Sequence, residues 1–314
     1  MVTQKLQLPP ELVIGPFFRA DLEASGLSSG QLRSKSIRKA RMSGLYFSEG
    51  AALDEVGVIR AVCRKYPASW ASHFSAARIH GLWIPDEQLR EQIHMSTLKP
   101  QARIRRGGIV SHESRTATGV ISMAGIRISE PGRAVREMAR LLPIEDVVVL
   151  IDQLIRIPRN KFDGTSTPIL ALSQWKNELA DIRGAGKTKL VNATKLARVG
   201  SDSRPETLLR LAIVRSGLPE PELQLTFAHL GIFGFSADMG YSELRIAIHY
   251  DGRDHRRADQ QHSDNSRDYL LEREGWRNLR CSSKDLAEGF VTFCDRLRHL
   301  IAEQQAILKT SAPL

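Results

Sequence analysis

The sharpest alternation of apolar and polar residues in the chain falls between Leu244 and Asp251. Leu244, Ile246, Ile248 and Tyr250 take one parity, and Arg245, Ala247, His249 and Asp251 the other. A period of two predicts a half-buried strand, with His249 and Asp251 side by side on one face. The run from Ile232 to Met239 is mixed and apolar, with Gly234 inside it, and is long enough for one strand. Gly240-Tyr241-Ser242-Glu243 then supplies turn residues. A neighbouring strand can therefore bring Asp238 close to both. Asp251-Gly252 ends the pattern, and His255 follows within a short loop.

Elsewhere the period is helical. Residues 131–142 carry Val135, Met138, Ala139 and Leu142 at helical spacing, and 144–155 form a further helix whose Glu145 and Asp146 complement its dipole. Residues 59–66 and 72–80 read as two more, with short strands expected at 92–96, 108–112 and 125–129. Residues 203–215 form a helix with Leu208, Leu209, Ala212 and Ile213 inward. The tail, 284–309, makes one or two amphipathic helices packed on the sheet through Phe290, Phe293, Leu297 and Leu300. Near the N-terminus, 14–25 reads as a helix stopped by Gly26. Residues 31–40 read as a second helix capped by Ser28 or Ser29, followed at 42–47 by a tight turn and a short strand. That second helix gathers Arg33, Lys35, Arg38 and Lys39, a set that can lie in a major groove with its cations on phosphates. The plainer reading is a solvated helix face.

Composition sharpens this picture. The 314 residues are 42% hydrophobic and 25% charged, an ordinary globular balance with room for two or three domains. A formal net charge of +10 favours a polyanionic partner, nucleic acid being the commonest. Cys63, Cys281 and Cys294 are isolated thiols without CxxC spacing, which indicates neither a disulfide framework nor a zinc site and fits a reducing cytoplasm. The N-terminus has no signal-peptide core, and the strongest apolar run, Val147 to Ile151, is too short for a bilayer, so a cytoplasmic protein off the membrane is expected. His73, His80, His94 and His112 lie on different predicted elements without metal-site spacing, and read as structural or surface residues. Gly184-Ala185-Gly186-Lys187-Thr188 imitates the end of a phosphate-binding loop. Asp181, however, stands where the first glycine is required, and a helix precedes it. Lys187, Lys189, Lys195 and Arg198 instead suggest a basic helix after a polar linker at 158–168.

The titratable group Asp238, His249, Asp251 and His255, followed by Arg253, Arg256 and Arg257, suggests a phosphate-handling site at the end of a two-stranded ribbon. The plainer reading makes Asp251-Gly252 a turn and His255 a surface residue. Ser203 and Glu206 fit a capping box. In order, the chain has Ser203-Arg204-Pro205-Glu206, Gly217-Leu218-Pro219-Glu220-Pro221 and Asp238. It continues with His249-Tyr250-Asp251-Gly252-Arg253-Asp254-His255, Asp264, Arg267 and Gly275-Trp276. Residues 203–282 thereby resemble the endonuclease domain related to the very-short-patch-repair (Vsr) nucleases, a branch of the restriction-endonuclease-like PD-(D/E)XK fold. One position departs, since His249 stands where that family has a carboxylate. The N-terminal part resembles in pattern the winged helix-turn-helix of AbiEi-type antitoxins, and Ser75-Ala76-Ala77 matches a helix that follows the wing there.

These resemblances imply a mixed α/β chain. Its parts would be a winged helix-turn-helix at 1–55, an α/β connecting domain at 56–160, a linker and basic helix at 161–200, and a restriction-endonuclease-like α/β/α domain at 201–314. They imply a catalytic set of Glu206, Asp238, His249, Asp251 and His255, with Glu206, Asp238 and Asp251 holding Mg²⁺ or Mn²⁺. DNA contacts would come from Arg33, Lys35, Arg38, Lys39, Arg253 and Arg267. The ion would activate a water and screen charge in the transition state, and His255 would act as general acid or base. Neutral imidazole is a poor Mg²⁺ ligand and suits Mn²⁺ better, so His249 predicts weakened, Mn²⁺-shifted or lost activity. Two readings stand. One is a metal-dependent DNA endonuclease placed on DNA by its N-terminal module. The other is a non-enzymatic, antitoxin-like DNA-binding regulator with a degenerate nuclease fold and a toxin-type protein partner.

Overall fold

The computed structural model describes residues 8–51, 53–85, 92–101, 103–159, 163–228, 235–251 and 269–310. The chain is mixed α/β with three sheets among the described residues. It divides into two compact units, Met1–Leu142 and Pro143–Leu314, so the borders expected near 55, 160 and 200 fall within units.

The first unit opens with α1 (Pro10–Val13), β1 (Phe17–Phe18), α2 (Arg19–Ala24), a 3-10 turn (Ser29–Arg33), β2 (Ile37–Lys39) and β3 (Leu45–Ser48). The three strands form an antiparallel sheet in the order β1-β3-β2. This corrects the sequence reading: residues 31–40 are not a helix, and Phe17–Phe18 is a strand rather than part of one. The Ser36 N–H donates to the Ser34 side chain at 3.3 Å, local bonding that competes with helix formation. As part of a hairpin, Ile37 also reaches a cluster with Leu12, Phe17 and Leu22. Arg33 therefore ends a 3-10 turn, Lys35 follows it, and Arg38 and Lys39 lie on β2.

The rest of this unit comprises α3 (Glu55–Lys65), β4 (Ser69–Ala71), α4 (His73–Ile79), β5 (Ile93–Leu98), β6 (Ile109–Ser114), β7 (Val120–Met123), β8 (Ile126–Ser129) and α5 (Pro131–Met138). Asp54 caps α3 by accepting the Gly57 N–H at 2.6 Å. The sheet order is β6-β5-β4-β8-β7. β5 runs parallel to β6 and antiparallel to β4. β4 and β7 were not expected; each is only three or four residues long.

The second unit holds α6 (Ile144–Ile155), α7 (Leu172–Asp181), α8 (Lys187–Leu196), α9 (Arg204–Arg215), β9 (Glu222–Thr226), β10 (Ser236–Tyr241), β11 (Ile246–Asp251), β12 (Arg277–Ser282), α10 (Ser283–Ala287) and α11 (Val291–Thr310). Its sheet runs β12-β11-β10-β9. β10 is antiparallel to both neighbours, and β12 is parallel to β11. The alternation holds from Ile246 onward. Ile246 and Ile248 join Leu209 and Ile213 of α9 and Phe293, Leu297 and Ile301 of α11 in one core. Ala247 is buried on the other face with Leu225, Phe227 and Trp276. Leu244 and Arg245 belong instead to the connecting turn, closed by bonds from their N–H groups to the Tyr241 and Ser242 carbonyls at 3.2 Å each. Gly240 is required by close approach, since a Cβ there would stand 2.3 Å from the Ile246 carbonyl oxygen. No helix among the described residues is long and apolar enough to cross a membrane.

Candidate active site

The start of α9 is built by its cap. Ser203 Oγ accepts the Glu206 N–H at 3.4 Å and donates to Glu206 Oε1 at 2.7 Å. Glu206 Oε2 accepts the Asp202 N–H at 2.8 Å. The Glu206 carboxylate thus serves the hydroxyl of Ser203 and the backbone of Asp202, and not the Ser203 N–H of the expected capping box. It is buried, at 7% exposure. Burial raises its pKa, and the Asp238 charge raises it further.

Asp238 comes from β10, where backbone pairing with β11 ends at Met239 and Ile248. Beyond that pair its Oδ2 takes the place of a ladder carbonyl, accepting the Tyr250 N–H at 2.7 Å. Burial pushes the Asp238 pKa up against that bond and the nearby His249, while the Asp202 charge adds to the rise. Glu206 and Asp238 are therefore interacting carboxylates, both raised chiefly by burial, with the Asp238 charge adding to the rise at Glu206 and the Asp202 charge to that at Asp238.

His249 stacks on Phe235 with ring centroids 5.5 Å apart. Asp251, two residues further along β11, is ion-paired with Arg280 of β12 at 3.2 Å. The parallel register sets His249 against Arg280 and Asp251 against Ser282. Of the sequence-derived set, the fold brings Glu206, Asp238 and His249 into electrostatic contact and commits Asp251 to Arg280. His255, Arg253, Arg256, Arg257, Asp264 and Arg267 lie outside the described residues.

Three residues were missed. Asp202 accepts from Arg156 Nε at 2.7 Å, from Gln224 Nε2 at 3.2 Å and from Arg159. Arg159 also donates to Gln224 Oε1 at 3.2 Å, and its charge acts on Asp238. Asp202 directly precedes the Ser203 cap, which was the one available sequence signal. Arg156 and Arg159 sit just past α6, some fifty residues away, and nothing local marks them. Among the described residues, no group of three or more His, Cys, Asp or Glu side chains is arranged to hold a metal ion. Mg²⁺, however, is commonly bound through one or two carboxylates, with waters and substrate phosphate completing its shell. Glu206, buried, and Asp238, partly buried, offer hard oxygens and act on each other electrostatically, so the two fit such an ion.

Arg33, Lys35, Arg38 and Lys39 are all exposed on the N-terminal hairpin segment, with Arg38 paired to Glu49 at 2.7 Å. In the basic-helix candidate, Lys187, Lys189 and Lys195 do lie on α8. Arg198 is partly structural: its N–H donates to Asp152 at 2.7 Å, and its guanidinium to Glu220 at 2.8 Å. Compared with known proteins, the chain matches no family model, and no curated protein is significantly similar to it.

Proposed function

We propose that this chain binds DNA and that its second unit hydrolyses phosphodiester bonds with a divalent cation held by Glu206 and Asp238. The observation that carries this reading is the pair itself: a buried carboxylate from a helix start and a partly buried one from a strand end, each with a raised pKa and with His249 and Arg159 beside Asp238. The helix, the strand carrying Asp238, the strand ending His249-Tyr250-Asp251, and Gly275-Trp276 before the last strand follow the order that the nuclease resemblance implies. When bound, the ion supplies activation of a water and screening of charge on the phosphate. The protein's own groups do the rest. Tyr250 N–H and Asp202 N–H orient the two carboxylates, Arg159 offers a guanidinium to a phosphate oxygen, and His249 supplies a proton donor or acceptor beside Asp238. The exposed cations of the hairpin contact phosphates without reading sequence.

A second reading, a non-enzymatic antitoxin-like regulator, is favoured by His249 in place of a carboxylate and by the Arg280 charge that neutralises Asp251. Supercoiled plasmid incubated with purified protein in Mg²⁺ or Mn²⁺ separates them. The endonuclease reading expects nicking, stronger in Mn²⁺, and its loss in Asp238→Ala. Intact plasmid in both metals, with cleavage gained by His249→Glu, selects the regulator.

A further inference from the structure

The histidines of the first unit, scattered in sequence, meet in space. His73 at the start of α4 stacks face to face on His112 of β6, with centroids 3.6 Å apart. His94 of β5 stacks on His112 at 5.1 Å and places its Nδ1 2.9 Å from His112 Nε2. His94 and Phe74 form a T-shaped pair with centroids 5.1 Å apart, and His73 and His94 are 9% and 3% exposed. His73 takes φ +48°, a left-handed conformation that favours glycine. It is held there by Glu137 of α5, which accepts its N–H at 3.0 Å. One element from each of three segments thus contributes a ring to a single closed column.

We propose that the His73–His94–His112 column is a proton-operated latch, which holds α4, β5 and β6 together while its rings are neutral and parts them when they are protonated. This inference concerns the first unit alone and does not rest on the nuclease reading.

The surroundings decide the sign. Arg133 of α5 faces His73, Arg78 of α4 faces His94, and Arg103 of the β5–β6 connection faces His112, each disfavouring a charged ring. Glu137 lies 3.7 Å from His73 Nδ1. Its carboxylate is already engaged by Arg133 Nε at 2.7 Å, by Ser129 Oγ at 3.0 Å and by the His73 N–H. Glu55 is occupied with Arg78, and Glu113 with Arg103 and Lys99. The three carboxylates that pair with the arginines around the column are thus already engaged. Burial first, and the neighbouring rings and arginines second, hold His73 down to about 2 and His94 to about 4. Burial and Arg103 hold His112 to about 4. The opened chain, with imidazoles near 6.5, binds these protons much more tightly than the closed one. The latch is therefore fully shut above pH 6.5 and loosens as pH falls from 6.5 toward 4.

The test uses the full chain and hydrogen exchange read by mass spectrometry at pH 7.5 and 5.0, corrected for the intrinsic rate. Peptides from β10 to β12 serve as the internal reference. Protection of α4, β5 and β6 should fall at least tenfold at pH 5.0 in the native protein, and by at least threefold less in His94→Phe/His112→Phe, which replaces both partners of the Nδ1–Nε2 contact at once and leaves His73 alone to be protonated. Equal losses in both proteins, or none in the native one, overturn the latch. Should the double variant misfold, imidazole NMR of the native protein decides. Three of the nine histidines should fail to titrate between pH 8 and 5.5, and all nine titrating near 6.5 would sink the proposal.

Discussion

The two units keep polar groups in their interiors by opposite choices of chemistry. The first buries the imidazoles of His73 and His94 and half-buries that of His112, and their pKa values fall because burial disfavours the charged form. The second buries carboxylates. Asp152 is pushed up to about 6 by burial, against the pull of Arg210, and Glu206 and Asp238 are raised mainly by burial. Desolvation is the same force in both, yet it moves bases down and acids up. The stability consequences have opposite signs. A depressed histidine favours the folded state above its unfolded pKa and stops doing so as pH falls. A raised carboxylate weakens the folded state as pH climbs past its unfolded value, and that loss is complete above its folded value. Acidification from pH 7.5 to 5.0 should therefore loosen the first unit and tighten the second.

The largest effect should come from the Arg210–Asp152 pair. The two charges lie 3.0 Å apart at 1% side-chain exposure each, with Thr207 Oγ1 and the Arg198 N–H completing the shell of Asp152. Arg210→Met leaves Asp152 buried and unpaired, and should destabilise the second unit by about 3–5 kcal/mol in urea unfolding followed through Trp175 and Trp276. A loss below about 1 kcal/mol would show that the pair contributes little and would weaken the contrast between the units. A smaller effect, of the other sign, is expected at the candidate site. Asp238→Asn keeps an oxygen for the Tyr250 N–H and removes a reluctant charge. At pH 7.5 the second unit should gain stability in urea unfolding while plasmid cleavage is lost. A variant that is both less stable and still active would break the reading of this carboxylate as functional strain. The smallest change belongs to the surface. Arg38 and Glu49 pair at 62% and 55% exposure, so Arg38→Ala should alter stability by less than about 0.5 kcal/mol. The salt dependence of DNA binding should nevertheless flatten by about one unit of slope, as for one lost phosphate contact.

Parts of this were legible in one dimension. The 144–155 helix has the bounds that its periodicity predicts, and β11 has the predicted parity, with His249 and Asp251 facing away from the Ile246 and Ile248 core. The Ser203 cap was visible in Ser-x-x-Glu, although its Glu206 bonds elsewhere than expected. The basic segment at 31–40 misled because its charges and its serine caps fit a helix. Its burial of Ile37, however, is satisfied only when β2 lies against β3. The histidine column left no trace in spacing at all. Its members stand on three elements, and the parallel pairing of β5 with β6 that joins His94 to His112 is a long-range event.

By itself the sequence determined what is decided within a few residues: the strand parity around His249, the long apolar helix after Pro143, the capped start at Ser203 and the basic excess of the whole. Only the tertiary structure decided which charges meet. His94 lies 18 residues from His112, and Asp152 lies 58 from Arg210. Local propensity acts through the backbone of one turn or one strand. The pKa of a buried group answers to whatever the fold carries alongside it, and to the water it shuts out.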